Sequence, residues 1–267
     1  MLQQPEINQS FDLLFDLLMD KLIVTIMAGG IGKRMESDLP KVLHLVNGEP
    51  MIIKIIQQVL NFNPQKILIV VGKFKNLIDE SINNFLRKED VNLIDYVEQL
   101  TPLGTGDAIK CTLPYITNYK NKTNLILNGD TPMLKYQTLR HIVDTYNKSE
   151  SNLLITAIEL TNPSGNGRII QKDGVFQAIV EEKDCDKDQK IIKICNCGIY
   201  VANTDTLLKY IPMINNKNAQ NEYYLTDLVS IYKENEQHKV ELAILPTEKE
   251  LEIYNVNTKE QLLFVNQ

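Results

Sequence analysis

The sequence predicts an α/β fold in which helices cover both faces of a doubly wound sheet, and three observations indicate it. Short apolar runs rich in β-branched residues alternate with helical stretches four times in the first half of the chain. The first of these runs breaks into a glycine-rich turn, as strands of such sheets do at the ligand-binding edge. The length of 267 residues suffices for a sizeable core, as one large domain or two small ones. Such alternation is typical of parallel strands buried on both faces.

Each strand of the first half is followed by a predicted helix. Pro50 suits the first turn of the first helix, and Thr105 is a candidate N-cap of the third, which should stop near Pro114. The predicted strands span residues 22–27, 66–72, 91–97 and 124–132, the last ending in a polar turn. The predicted helices span 50–61, 76–87, 105–114 and 136–148.

From residue 152 the regular alternation of strands and helices gives way to predicted strands, a hairpin and short helices. Asp173-Gly174 is a hairpin-turn sequence between the runs 167–171 and 175–182, and the charged stretch 183–190 is expected to be a solvated loop. We therefore expect a nucleotide-binding half over 21–150 and a smaller β-rich lid over 151–267. Further strands are predicted over 151–160, 191–201 and 240–245, with helices over 203–211 and 222–235 and after Asn257.

Residues 1–20 precede the first strand and predict an added amphipathic helix. They lack the basic start and uninterrupted apolar middle of a signal peptide. Packing on the body of the same chain is the expectation, with a subunit contact as the alternative. The apolar stripe of this helix consists of Phe11, Leu14, Phe15, Leu18 and Met19.

Composition excludes several classes of function. A net charge of −6 without any long Lys/Arg block argues against a nucleic-acid surface, and no apolar run is long enough to span a bilayer. The four cysteines have no zinc-ligand spacing, which predicts reduced thiols in a cytoplasmic protein, although a redox role for Cys195 and Cys197 stays open. The three histidines show neither a zinc pattern nor a partner nucleophile.

The glycine-rich turn predicts a phosphate cradle. Gly29, Gly30 and Gly32 follow the first strand, where backbone N–H groups can approach an anion, and Lys33, Arg34 and Lys41 follow them as cations. The turn is neither a dinucleotide fingerprint, which would need glycine at Met35, nor a Walker loop, which would need Ser or Thr at Arg34. A glycine-rich connection without a ligand remains the alternative.

Asp130 stands at the end of the fourth strand, in the sequence N-G-D. A carboxylate beside a phosphate cradle is where a Mg²⁺ ligand is expected, because Mg²⁺ combines one or two protein oxygens with phosphate oxygens and water. A turn-forming Asp before Thr131-Pro132 is the alternative.

A series of motifs running in order from about Leu22 to the end of the chain carries a resemblance to a known family. The motifs are MAGGIGKRM with DLPKVLH, GTGDA preceded by a glutamine, LNGDTPML, GNGRI, IVEEKD, NCGIY, NAQNEYYLTDL and a closing V-N. They resemble the uridyltransferase domain of N-acetylglucosamine-1-phosphate uridyltransferases, nucleotidyltransferases with a Rossmann-like, glycosyltransferase-A-like mixed sheet. The resemblance implies the transfer of a uridylyl group from UTP to N-acetylglucosamine 1-phosphate, with Mg²⁺.

The resemblance also implies a role for individual residues. Arg34 and Lys41 would be catalytic, neutralising the triphosphate and the pyrophosphate that leaves, and Asp130 and Asn257 would hold the metal. On the residues alone, Asn257 would pass as a helix N-cap. Ala28, Gly29 and Gly30 would line the nucleotide, and Gln99 with Gly104 and Thr105 would read the uracil edge. The sugar would be held by Gly167, Glu181 and Asn196, with Tyr224 and Thr226 nearby.

Several positions depart from the pattern of this family. Lys33 replaces a usual Thr and would add a charge near the phosphates; Cys197 also stands for Thr, and Asn255 stands where glycine is frequent. Gly30 replaces an alanine. The hexapeptide repeats of the bacterial β-helix acetyltransferase domain are absent from this sequence, so we expect no acetylation. We expect a monomer or homodimer and not the trimer which that domain forms.

Alternatives to this function remain. The same chemistry on another sugar 1-phosphate, or with dTTP, would need few changes. A catalytically silent subunit that senses nucleotide sugars would be favoured by loss of the cations or of Asp130, and both are present. A true glycosyltransferase would usually show D-x-D where this chain has N-G-D.

Overall fold

The computed structural model describes residues 22–30, 32–235 and 239–267. The helix predicted over 1–20 and one of the three histidines, His238, lie outside these ranges, and the helix stays a prediction.

One mixed sheet forms the centre of the described fold. Its strands are β1 (Leu22–Met27), β4 (Lys66–Val71), β5 (Ile94–Glu98), β6 (Thr123–Asn128), β7 (Leu153–Glu159), β8 (Arg168–Lys172), β9 (Val175–Val180), β10 (Ile194–Asn203) and β11 (Val240–Leu245), while β2 (Leu45–Val46) and β3 (Glu49–Pro50) form a separate ribbon. The strand order is β11-β7-β10-β6-β1-β4-β5, and the hairpin β8-β9 attaches to β10. Within this sheet the strands of the first half run parallel to one another, whereas β10 runs antiparallel to both β6 and β7.

Helices cover both faces of this sheet, as the alternating pattern predicts. Along β1, Val24 and Ile26 pack into one apolar cluster and Ile23 packs into another on the opposite face. The first cluster is closed by the helices Met51–Leu60, Lys75–Phe85 and Tyr136–Lys148. The second is closed by Thr105–Ile116, Thr204–Tyr210 and Leu228–Glu234. The described chain also contains the short helices Lys88–Val91 and Lys187–Lys190 and the terminal helix Lys259–Val265.

Three local predictions about helices and loops are corrected. Pro50 precedes the helix Met51–Leu60 and pairs in β3, so it is not in the first turn. Pro114 lies inside the third helix, which continues to Ile116. The stretch expected to be a plain solvated loop contains the helix Lys187–Lys190, whose N-cap Asp186 forms a capping box.

The second half of the chain shares the central sheet. Three of its strands lengthen the sheet beside β6, and only the hairpin β8-β9 stands off this path, with its turn at Asp173 and Gly174 as predicted. Within the described residues, most strands of 151–267 therefore extend the central sheet, and a separate lid over this range stays a prediction.

A predicted helix over 222–235 is shorter in the structure. It begins with a 3₁₀ turn at Leu225–Asp227, and the preceding segment is extended. The extended segment forms because Tyr223 N–H donates to the Leu103 carbonyl at 2.8 Å and the Tyr223 carbonyl accepts from Gly106 N–H at 2.7 Å. These bonds tie the segment to the start of the helix Thr105–Ile116.

The four cysteines carry free thiols, three of them buried. Burial raises the pKa of Cys195 to about 11 and also raises that of Cys197. Neither sulfur is a thiolate near neutral pH, so a redox role for this pair lacks an activated nucleophile. Among the described helices, none is long and apolar enough to cross a membrane.

Candidate active site

The glycine-rich turn lies where the parallel strands end. Ala28 N–H donates to the Val70 carbonyl of β4 at 2.8 Å, and Gly129 N–H donates to the Met27 carbonyl at 2.9 Å. The turn after β1 therefore lies between the ends of both neighbouring strands. The ends of these three strands thus lie together at one edge of the sheet.

Lys41 links the two residues expected to hold a metal. Its ammonium Nζ donates to Asp130 Oδ2 and to Asn257 Oδ1, the latter at 2.9 Å. The side chains of Lys41 and Asp130 are 16% and 12% exposed, so the ion pair is largely withdrawn from water. Val256 N–H donates to the Asp130 carbonyl at 2.9 Å and fixes the segment that carries Asn257 against the end of β6.

Asn257 does not cap the following helix. Thr258 is the N-cap, in a capping box with Gln261, and the Asn257 side chain is left to accept from Lys41. The N-cap interpretation of Asn257 is therefore wrong. The Asn257 oxygen already contacts the Lys41 ammonium, which supports the prediction that it can hold a cation.

The oxygens around Lys41 fit a Mg²⁺ site shared with a phosphorylated ligand. Asp130 Oδ1 is buried and accepts no hydrogen bond from the described residues, and a cation already lies between Asp130 and Asn257. Within the described ranges no group of three or more His, Cys, Asp or Glu side chains forms a metal cage. One carboxylate and one amide oxygen are a donor set that Mg²⁺ accepts when phosphate oxygens and water complete its octahedron.

The side chains of Lys33 and Arg34 line different cavities, although the two residues are adjacent in the sequence. Arg34 is exposed, lines the same cavity as Lys41, and forms no ion pair with any described residue. Lys33 lines a separate concavity with Glu36, Asp38 and Lys73. The structure thus brings two of the three expected cations to the cradle, because the 3₁₀ turn Lys33–Met35 points successive side chains in different directions.

A cavity of about 410 Å³ opens over the glycine-rich turn, within the usual range for small-molecule sites. It is lined by every residue assigned to the nucleotide and the metal and by two of the three cations: Ala28, Gly29, Gly30, Arg34, Lys41, Gln99, Gly104, Thr105, Asp130 and Asn257.

Gln99 is buried at one end of this cavity, and its amide is fixed in orientation. Nε2 donates to the Gly104 carbonyl at 3.1 Å and to Asp107 Oδ2 at 2.7 Å. Oε1 faces the turn, where a Cβ on Gly29 would lie 3.2 Å from it. A planar amide held in this way presents a defined acceptor to a ligand.

The loop before the third helix is set by Gly104. Its φ of +116° and the 2.4 Å that would separate an added Cβ from the Tyr223 carbonyl both require glycine. Thr105 does not cap the helix, contrary to the prediction, because its Oγ1 accepts from Leu225 N–H at 3.0 Å.

A second cavity of about 170 Å³ adjoins the first, and four residues assigned to the sugar line it: Gly167, Glu181, Asn196 and Thr226. Glu181 Oε1 accepts from Thr226 Oγ1 at 3.0 Å. Burial raises the pKa of Glu181 above its ordinary value, the Thr226 bond opposes the rise, and Asp227, Asp184 and Glu222 reinforce it. Asn196 donates to the Tyr200 hydroxyl at 2.7 Å and accepts from Gly198 N–H at 3.1 Å.

Tyr224 lines neither cavity. Its ring is buried, and its hydroxyl accepts from Gln220 Nε2 at 2.9 Å. The structure therefore separates the Tyr224 side chain from the other sugar candidates.

An ion pair between a buried arginine and a half-buried glutamate supports the turn at Gly165–Gly167. Arg168 is 1% exposed, and its Nη2 donates to Glu182 Oε2 at 2.6 Å, while Gly165 N–H donates to the same oxygen at 3.1 Å. Burial opposes ionisation of Glu182, but the bonds from Arg168 and Gly165 outweigh it and lower its pKa. Glu181 thus lines the smaller cavity, whereas Glu182 holds the turn at Gly165–Gly167 in place.

Sequence reasoning missed the residues where the two cavities meet. Met27, Asn128, Gly165 and Asn255 line both of them. The signal for Asn128 was its place at the end of β6, two residues before Asp130. The signal for Asn255 was its departure from a family glycine.

The comparisons with known proteins agree with this geometry. A protein of Acanthamoeba polyphaga mimivirus, described as a probable UDP-N-acetylglucosamine pyrophosphorylase, is 53% identical over 246 residues, which cover 92% of this chain and 95% of the viral protein. The bifunctional protein GlmU of Nitrosomonas eutropha is 37% identical over 241 residues, covering 90% of this chain and 50% of GlmU. The chain thus spans about half the length of this bifunctional relative.

A solved structure and a family model also match this chain over most of its length. A solved structure of HddC from Yersinia pseudotuberculosis, complexed with GMP-PN, has a TM-score of 0.64 at 18% identity and covers 91% of this chain and 97% of HddC. At this identity the likeness shows the Rossmann-like fold. The family model described as nucleotidyl transferase matches residues 23–245. The chain belongs to the nucleotidyl transferase family and is an enzyme of that type.

Proposed function

We propose that this protein transfers a uridylyl group from UTP to N-acetylglucosamine 1-phosphate, giving UDP-N-acetylglucosamine and pyrophosphate. The observation that carries the proposal is the placement of Lys41, Asp130 and Asn257 in a nucleotide-sized cavity that adjoins a second, polar cavity. The name of the viral relative at 53% identity favours this substrate pair.

The larger cavity would take the nucleotide. The turn at Ala28, Gly29 and Gly30 would offer backbone N–H groups to the phosphates, and Gln99 with the Gly104–Thr105 backbone would bind the base edge. Residues of the first half of the chain dominate this lining, which supports the proposal of a nucleotide-binding half over 21–150.

The smaller cavity would take the sugar. Glu181, Asn196 and Thr226 offer acceptor and donor atoms suited to hydroxyl groups and an N-acetyl group, beside the Gly167 backbone. A site built to hydrogen-bond an N-acetyl group discriminates strongly against sugars that lack it. The second half of the chain, over 151–267, would thus select the sugar.

Asp130 and Asn257 would hold Mg²⁺ together with phosphate oxygens of the nucleotide. When bound, Mg²⁺ supplies positive charge that neutralises the α-phosphate. Lys41, which contacts both of these side chains, and Arg34, which lines the same cavity, would supply two cations to the phosphates.

The chemical step needs no general base. A sugar phosphate is largely ionised at neutral pH, because its second pKa is about 6. Its oxygen forms a bond to the α-phosphorus of UTP while the bond from the α-phosphorus to the bridging oxygen breaks, and pyrophosphate leaves with that electron pair. Lys41 and Arg34 stabilise the charge that develops on the leaving group, and catalysis depends on positioning and charge.

A panel of nucleoside triphosphates against sugar 1-phosphates, scored by pyrophosphate release, tests the proposal. We expect the fastest release with UTP and N-acetylglucosamine 1-phosphate in the presence of Mg²⁺. Preference for another sugar or for dTTP would replace the substrate pair and keep the chemistry. No release with any pair, while nucleotide sugars bind, would indicate a sensing subunit.

We also propose that the protein is cytoplasmic and that it is a monomer or a homodimer. Free thiols at the four cysteines suit a reducing cytoplasm. A monomer or homodimer stays a prediction, which analytical ultracentrifugation tests directly.

A further inference from the structure

Asn255 lies at the boundary between the two cavities. It lines both of them and also the adjoining concavity beside Arg34 and Asn257. The next residue, Val256, is fully buried and bonded to the Asp130 carbonyl, so the backbone that carries Asn255 is held in place.

The Asn255 amide oxygen has no hydrogen-bond donor. Oδ1 is buried and accepts nothing from the described residues, whereas Asn257 Oδ1 accepts from Lys41. Among the described side chains with a buried, unpartnered polar atom, Asp130 and Asn255 are the two that line the cavities. A buried acceptor without a donor lowers the stability of the free protein, and a bound ligand that supplies a donor removes this cost.

The chemistry of an amide narrows the identity of that ligand group. Oδ1 can only accept, and an ionised phosphate has no proton to give, so the donor is a hydroxyl or an N–H group of a substrate. Because Asn255 lines the smaller cavity, which is proposed to take the sugar, a hydroxyl or N–H of that sugar is favoured over the ribose and the base of the nucleotide. The Nδ2 group of the same amide can only donate, which suits the anomeric phosphate next to that sugar.

We propose that Asn255 binds the sugar 1-phosphate unit, with Oδ1 accepting from a donor group of the sugar and Nδ2 donating to its phosphate. This inference rests on the proposed function and deepens it by naming a substrate-binding residue at the junction. A nucleoside triphosphate, which has no such sugar, would gain little from Asn255.

Calorimetric binding to UDP-N-acetylglucosamine and to UTP, without turnover, separates this inference from the proposed function. For Asn255→Ala we expect binding of the nucleotide sugar to weaken about tenfold or more, the cost of one or two hydrogen bonds. Binding of UTP should change by less than about twofold. The midpoint of thermal unfolding should stay or rise, because a buried unpaired acceptor is removed.

Asn203→Ala is the matched control. Asn203 Oδ1 is partnered, accepting from Asp205 N–H at 2.8 Å as the N-cap of the helix Thr204–Tyr210. Its loss should lower the unfolding midpoint and leave both affinities unchanged.

Three results would count against the inference. Unchanged binding of the nucleotide sugar by Asn255→Ala would overturn it and leave the proposed function standing. An equal loss for both ligands with a lower unfolding midpoint would assign Asn255 a structural role. If the wild-type protein bound neither ligand, the proposed function itself would fail, and the inference with it.

Discussion

Replacing Lys41 by methionine should make the free protein bind a divalent metal more tightly. In the structure the Lys41 ammonium occupies the place between Asp130 and Asn257 that a metal would take. A metal that binds without nucleotide must therefore displace Lys41 from both oxygens, whereas the variant offers them free.

The magnitude follows from the burial of this ion pair. Two unit charges 4 Å apart interact by about 4 kcal/mol at an effective dielectric constant of 20. Desolvation and side-chain ordering cancel much of this, and side chains that are 16% and 12% exposed lie between the surface and the buried limit. A net cost of about 1–2 kcal/mol for displacing Lys41 corresponds to about 5–30-fold in metal affinity.

The assay is titration with Mn²⁺ in the absence of nucleotide, followed by electron paramagnetic resonance. Arg34→Met is the matched control, because Arg34 lines the same cavity and carries the same charge but holds neither oxygen. We expect about 5–30-fold tighter binding for Lys41→Met and less than about threefold for Arg34→Met. Adding Asp130→Asn to Lys41→Met should abolish the gain.

Equal Mn²⁺ affinities in the Lys41 and Arg34 variants would refute the reasoning, since the effect would then be general electrostatics and not competition for two oxygens. The same Lys41 variant should also lose about 10²–10³-fold in turnover, the usual scale for one oriented charge-stabilising donor. Its metal affinity and its activity thus move in opposite directions.

Further predictions concern the proposed metal ligand Asp130, Glu181 in the smaller cavity and the loop at Gly104. Asp130→Ala should abolish Mg²⁺-dependent pyrophosphate release and leave the circular dichroism spectrum unchanged. Full activity of this variant would show that Asp130 is not a metal ligand. Glu181 has a raised pKa in the folded protein, so stability is lost as pH rises above its ordinary value of 4.5. Glu181→Gln should therefore raise the unfolding midpoint more at pH 7.5 than at pH 4.5, and an equal change at both would contradict the shift. Gly104→Ala should lower the free energy of unfolding by about 2–4 kcal/mol, from positive φ plus a clash with Tyr223. Gly48→Ala, with φ +86° and open space around it, should cost only about 1 kcal/mol in the same denaturant titration.

Much of the fold could be predicted because its signals are local. The runs that became β1, β4 and β6 are buried on both faces, so they read as continuous apolar stretches. The convergence of the glycine turn, Gln99 and Asp130 followed from parallel strands ending at one edge.

The errors arose where tertiary contacts compete with local preference. Thr105 has a hydroxyl suited to an N-cap, but this hydroxyl accepts a hydrogen bond from Leu225 N–H instead of from the N–H groups of its own helix. The segment before Leu225 has helical neighbours, yet pairing of Tyr223 with Leu103 and Gly106 holds it extended. Asn255 was missed because its role depends on two cavities meeting, which no spacing along the chain encodes.

The pairing of Tyr223 with the loop at Leu103–Gly106 couples the linings of the two cavities. On one side it fixes the backbone of Gly104, which lines the larger cavity; on the other it leads within three residues to Thr226, which donates to Glu181 in the smaller cavity. If the larger cavity takes the base and the smaller one the sugar, as proposed, a change of this loop that admits a different base should also move the Glu181 carboxylate. Variants with altered base preference should then need a second change near Thr226 to keep their preference for the sugar.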